Sequence, residues 1–140
     1  MQKMLILLCA LAISSCTALR GDHRAPNQYP TSWSKIEDHP LSLEGSKIWV
    51  CGWFVAEFEG CQASEFRPTN PGEPGQLWVA PATGICELEN VMKQPISGWA
   101  DIVGEFHYSK EFPDMGFGQF GMYRAVIGNA VVTMRDGECQ

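Results

Sequence analysis

The strongest constraint on the fold of this chain is one run, residues 46–58 (SKIWVCGWFVAEF). It is dense in β-branched and aromatic residues and carries a single glycine, Gly52, near its middle. That pattern predicts a long strand with a bend or bulge at the glycine. Trp49 and Trp53 lie four apart, so on a strand they share a face, and that face is read as core. Other short runs follow. Residues 61–67 (CQASEFR) form a weaker strand, 68–75 (PTNPGEPG) a turn cluster, and 76–80 (QLWVA) a third strand. The one stretch with helical flavour is 87–94 (ELENVMKQ), which ends before Pro95. Residues 100–108 alternate, with Ile102, Gly104, Phe106 and Tyr108 on one side, as a half-buried strand does. A glycine-rich loop, 109–121, then leads into a last strand, 122–134, interrupted at Gly128 and Asn129.

The first residues carry an address. Lys3 precedes an unbroken apolar run, 4–13 (MLILLCALAI), which suits a secretory signal and is far shorter than the roughly 20 residues of a membrane-spanning helix. Ile13, Ser14, Ser15 and Cys16 follow. This placement resembles the lipobox of bacterial lipoproteins. The resemblance implies that residues 1–15 are a cleaved signal and that Cys16 is the acylated first residue of the mature chain. Thr17 after the cysteine implies sorting to an outer membrane, with the domain facing the periplasm. Residues 16–40, with Pro26, Pro30 and Pro40 and no apolar period, are expected to be the lipidated N-terminus and a flexible tether, with Trp33 and Ile36 able to pin its distal end to the domain.

Outside the cytoplasm the cysteines acquire a meaning. Of six, Cys9 leaves with the signal and Cys16 carries lipid, leaving Cys51, Cys61, Cys86 and Cys139. An even remainder is read as two disulfides, and three pairings are open. Metal binding is the rival, since His23, His39 and His107 are present. No Cys-x-x-Cys or His-x-x-x-His pair exists, whereas zinc sites bring their ligands in close pairs. No metal or cofactor is implied.

Five strands, the first long and interrupted by glycine, with a short helix between the third and fourth, resemble an OB-fold barrel over residues 43–135. The expected class is all-β with a minor helix, the barrel domain occupying residues 41–137. The 140 residues suit one domain, and 45% hydrophobic against 19% charged residues excludes wholesale disorder. Sixteen acidic and ten basic residues give −6, and removal of Lys3 with the signal leaves nine basic residues and −7. Such a balance argues against nucleic acid, whose affinity comes from clustered Lys and Arg.

The chemistry-bearing motifs are weak. Residues 116–121 spell G-x-G-x-x-G, but no room for a βαβ unit follows, so a glycine-permitted loop is expected. The pairs Glu57/Glu59 and Glu87/Glu89 would share strand faces, as solvated faces also do. No catalytic residue is assigned. Phe112, Met115, Phe117 and Phe120 are more suggestive, because apolar side chains on a loop mark binding surfaces. OB folds bind ligands through the loop between strands four and five and through the face of strands two and three. Trp78, Phe112, Phe117 and Phe120 are therefore the candidate partner contacts. The expectation is a lipid-anchored, non-catalytic binding or assembly module of the envelope that meets another envelope protein. The alternative is an acidic inhibitor of a basic hydrolase, resembling the small lysozyme-inhibitor lipoproteins.

Overall fold

A computed structural model describes residues 29–57, 60–70, 75–82, 84–86 and 96–140. Five strands, β1 (Lys47–Glu57), β2 (Gly60–Ser64), β3 (Leu77–Pro81), β4 (Ile96–Tyr108) and β5 (Ala125–Met134), close into a barrel in the order β1-β2-β3-β5-β4. The β3–β5 pair is parallel and the others are antiparallel. This is a five-stranded OB-like barrel. The helical expectation at 87–94 lies outside the described residues, as do the signal, Cys16 and most of the tether. Among the described residues, no helix is long and apolar enough to cross a membrane.

Alternation builds the interior. Ile48, Val50, Phe54 and Ala56 of β1 point inward, joined by Cys61 and Ala63, Leu77 and Val79, Ala100, Ile102 and Phe106, and Ala125, Ile127 and Ala130. On β5 the inward set shifts from odd to even residues at Asn129. There one extra residue enters the β4 ladder between Glu105↔Gly128 and Val103↔Val131. Asn129 adopts φ 47°, a left-handed conformation that asparagine tolerates, and this bulge is the interruption expected at Gly128 and Asn129.

Trp49 and Trp53 depart from expectation. They do share a face, but it is the outer one, and both are half-buried. Both faces of β1 are apolar, so alternation alone could not choose between them. A five-stranded interior is filled by Ile48, Val50, Phe54 and Ala56, with no space for two further indoles. Outside, the Trp49 indole donates to Asp101 at 2.9 Å, and Trp53 packs edge-on against Trp99 beneath the Arg67 guanidinium.

The domain also begins earlier than residue 41. A short helix, α1 (Trp33–Asp38), is capped by Ser32, whose side chain accepts from the Lys35 amide. Trp33 and Ile36, three apart on one face, are buried in the core. Pairing of β1 with β2 starts only at Trp53↔Ser64, which leaves the edge of β1 open before that point. The Thr31 amide donates to Trp49 O at 2.6 Å and the Trp33 indole to Cys51 O at 2.8 Å, closing this edge. Gly52 is the matching notch, since a Cβ there would sit 2.6 Å from both the Trp33 ring and the Ser64 carbonyl. The glycine serves close packing, and β1 pairs with β4 in unbroken register through it.

Two disulfides pin the barrel, Cys51–Cys139 and Cys61–Cys86, spanning 88 and 25 residues. In the chain-entropy picture these loops contribute about 4.5 and about 3.5 kcal/mol.

Trp33→Ala is expected to lower stability in urea unfolding by about 3–5 kcal/mol, and Gly52→Ala by about 1–3 kcal/mol through overpacking. Because the two changes act on one contact, the double variant should lose clearly less than the sum. Strict additivity would mean that Trp33 does not fill the Gly52 notch.

Candidate functional site

Among the described residues, the β4–β5 loop, residues 109–124, is the segment on which several large apolar side chains stand exposed. Its base is tied to the barrel. Glu44, before β1, accepts from the Tyr108 amide at 2.7 Å and meets His107 Nδ1 at 3.0 Å. The Ser109 amide donates to Arg124 O, and the Ser109 hydroxyl donates to Met115 O. The Arg124 guanidinium lies over the Tyr108 ring at 5.3 Å and the Phe112 ring at 5.7 Å, within cation–π range.

The distal half is held across the outer face of β3. Phe117 and Tyr123 exchange two backbone hydrogen bonds, making a small ladder. Trp78, on β3, fills the space between that ladder and the β1–β2 hairpin. A Cβ on Gly118 would lie 2.6 Å from the Trp78 ring, and one on Gly60 would overlap the ring's far edge. Gly118 also has φ 75°, so only glycine meets both the turn and the approach. The Tyr123 ring stands 5.3 Å from Trp78, and its hydroxyl donates to Gln62 Oε1 at 2.6 Å. That same oxygen accepts from the Gly75 amide, while Gln62 Nε2 donates to Glu57. Gln62 thereby joins the β2–β3 connection, the β1–β2 hairpin and the β4–β5 loop.

The candidate contacts fall into two groups. Trp78, Phe112 and Phe117 are half-buried: Trp78 packs against the loop at Gly118 and Tyr123, Phe112 lies beneath Arg124, and Phe117 pairs with Tyr123 through its backbone. Phe120 stands at the tip, 80% exposed, in a left-handed conformation (φ 60°) that a bulky residue rarely adopts outside a tight turn. Met115 at 63% and Met122 at 51% are the other large apolar side chains exposed on the loop. Met122 was not legible as part of this surface because, in sequence, it reads as the start of the last strand. Gln62, Tyr123, Arg124 and Glu44 carry no local sequence signal for this surface, because each works through a contact distant in sequence.

The weaker motifs resolve differently. The G-x-G-x-x-G stretch is this loop, followed by β5, so the geometry of a dinucleotide site does not arise. Glu57 holds Gln62, while Glu59, Glu87, Glu89 and His23 lie outside the described residues. His39 ends α1, exposed, and His107 sits between Glu44 and Glu105, at 3.0 and 3.4 Å. Those two carboxylates meet opposite ring nitrogens. Among the described residues, no group of three His, Cys, Asp or Glu side chains could hold a metal ion. No known protein family, curated protein or solved structure matches the chain.

His107 and the Tyr108 amide hold the Glu44 carboxyl below its usual value of 4.5. A depressed carboxyl stabilises the fold above its unfolded value, and that contribution fades as pH falls through the folded one. Glu44 is largely exposed, so Glu44→Gln should cost only about 0.2–1 kcal/mol at pH 7. In urea titrations the gap between variant and parent should narrow as the pH falls below 4.5 and through the lowered folded-state value. A gap that stays constant throughout the acid range would show that the carboxylate charge is not what holds the loop base.

Proposed function

We propose that this chain is a lipid-anchored, non-catalytic binding module of the bacterial envelope, attached through Cys16, whose β4–β5 loop docks another envelope protein. The observation that carries the reading is the concentration of Met115, Phe120 and Met122 on one loop that is braced from below. Exposed apolar clusters of this kind mark interaction surfaces, and scattered single side chains do not. Bracing matters because a loop already held in shape loses little conformational entropy on binding. Phe120 can then enter a partner's apolar pocket while Met115 and Met122 adapt around it, as flexible thioethers do.

The anchor rests on the Ile13-Ser-Ser-Cys16 signal. Each buried methylene contributes about 0.8 kcal/mol, so two or more acyl chains hold the protein on the bilayer essentially permanently. The domain would then search for partners in two dimensions near its membrane.

The test is capture from envelope extract on the immobilised mature protein, beside a Met115→Ser/Phe120→Ser/Met122→Ser variant, at low and high salt. A protein retained at both salts by the parent, and about tenfold less by the variant, is the expected result. Retention of a basic protein at low salt alone would instead favour the acidic-inhibitor reading, since screening removes steering by the net −7 charge. Equal retention by parent and variant would remove the loop from the interface. In the same cells Cys16→Ala should abolish acyl labelling and membrane fractionation, and persistence of either would refute the anchor.

A further inference from the structure

The four cysteines among the described residues are all paired, Cys51 with Cys139 and Cys61 with Cys86, so none of them offers a thiol to an oxidant. The oxidisable sulfur left among those residues is thioether. Met115 and Met122 are more than half exposed and Met134 is 40% exposed, and none of the three belongs to the hydrophobic core. Met115 and Met122 stand on the β4–β5 loop with Phe120, whereas Met134 ends β5.

The backbone that carries the two loop methionines is held by other groups. The Met115 amide donates to Glu111 O at 3.1 Å, and its carbonyl accepts from the Ser109 hydroxyl. Met122 directly precedes Tyr123, whose backbone pairs with Phe117 and whose hydroxyl is fastened to Gln62. These ties run through backbone and through Tyr123, and none runs through a thioether. Chemistry at sulfur therefore changes what the loop presents and spares what keeps it in place.

We infer that Met115 and Met122 are a reversible oxidation site, through which peroxide turns the apolar surface of the loop polar. A sulfur lone pair attacks the peroxide and the O–O bond breaks. One oxygen stays on sulfur as the sulfoxide and, for hydrogen peroxide, the other leaves as water. Sulfur loses two electrons and the peroxide gains them. Each sulfoxide puts a polar, chiral group where a flexible apolar one stood. Burying it against a partner's apolar surface costs free energy unless a donor meets its oxygen. Two thiols reverse the step, removing the oxygen as water and leaving as a disulfide, with one reductase for each sulfoxide epimer. The consequence for binding rests on the docking role proposed above: the loop loses its partner under peroxide and regains it on reduction.

The mature protein, treated with hydrogen peroxide and mapped by mass spectrometry, tests the site. Met115 and Met122 should oxidise within about fivefold of their rates in the urea-unfolded chain, and the urea midpoint of the oxidised protein should not move. Stronger protection of either methionine would overturn the site. On a phenyl matrix the oxidised protein should elute earlier than the parent. Both sulfoxide reductases with a dithiol should restore the elution of an unoxidised sample carried through the same reduction. A Met115→Leu/Met122→Leu variant keeps Met134, yet its elution should not respond to peroxide. An unmoved parent, a shift that reduction leaves in place, or an equal shift in the variant would each overturn the inference. On immobilised protein, peroxide should lower retention of the envelope partner about tenfold. Retention untouched by oxidation of both methionines would overturn the effect on docking. An untreated parent that retains nothing would instead overturn the docking role itself, and mapping and elution decide the oxidation site without it.

Discussion

The pairing of β3 with β5 is the contact on which the rest of this molecule depends. It is short, running through Trp78↔Val126, Val79↔Ile127 and Pro81↔Ala130, and it is parallel, so it joins segments that no turn could bring together. It turns an open sheet in the order β3-β2-β1-β4-β5 into a closed barrel, removing two sheet edges at once. It also sets the start of β5 beside Trp78, which forces the preceding loop to arch over the outer face of β3. The Trp78 cradle and the exposed tip at Phe120 are consequences of that closure.

The remaining weak point of a five-stranded barrel is the stretch of β1 that outruns β2. This protein covers it with a segment from outside the barrel. The Thr31 amide and the Trp33 indole supply the missing donors, and the absence of a side chain at Gly52 lets the indole sink into the core. This contact makes the start of the described domain a packed one. The two disulfides begin on opposite sides of the barrel wall, Cys61 in the core and Cys51 outside it.

The apolar loop gains its definition from remote partners. Glu44, Gln62 and Trp78 come from three different parts of the chain: Glu44 holds the end of β4 at Tyr108, Gln62 holds Tyr123, and Trp78 packs against Gly118. A loop anchored at base, middle and turn can keep Phe120 exposed in a left-handed backbone that a free loop would abandon. The acidic residues are spread along the sequence, so the net charge can bias encounter with a partner without specifying the contact.

The chain by itself disclosed its strands, the interruption at Gly128 and Asn129, and the four cysteines destined for disulfides. All of these are local: period-two alternation, glycine chemistry, and a count. The glycine in β1 was legible as a special position, though its purpose was not, because Trp33 lies nineteen residues upstream in the sequence. The face of Trp49 and Trp53, the pairing of the cysteines and the bracing of the loop were all settled by closure. Alternation states which side chains share a face, but it cannot say which face is inside when both are apolar. Likewise, cysteine spacing is silent on which thiols meet until strands distant in sequence have been laid side by side.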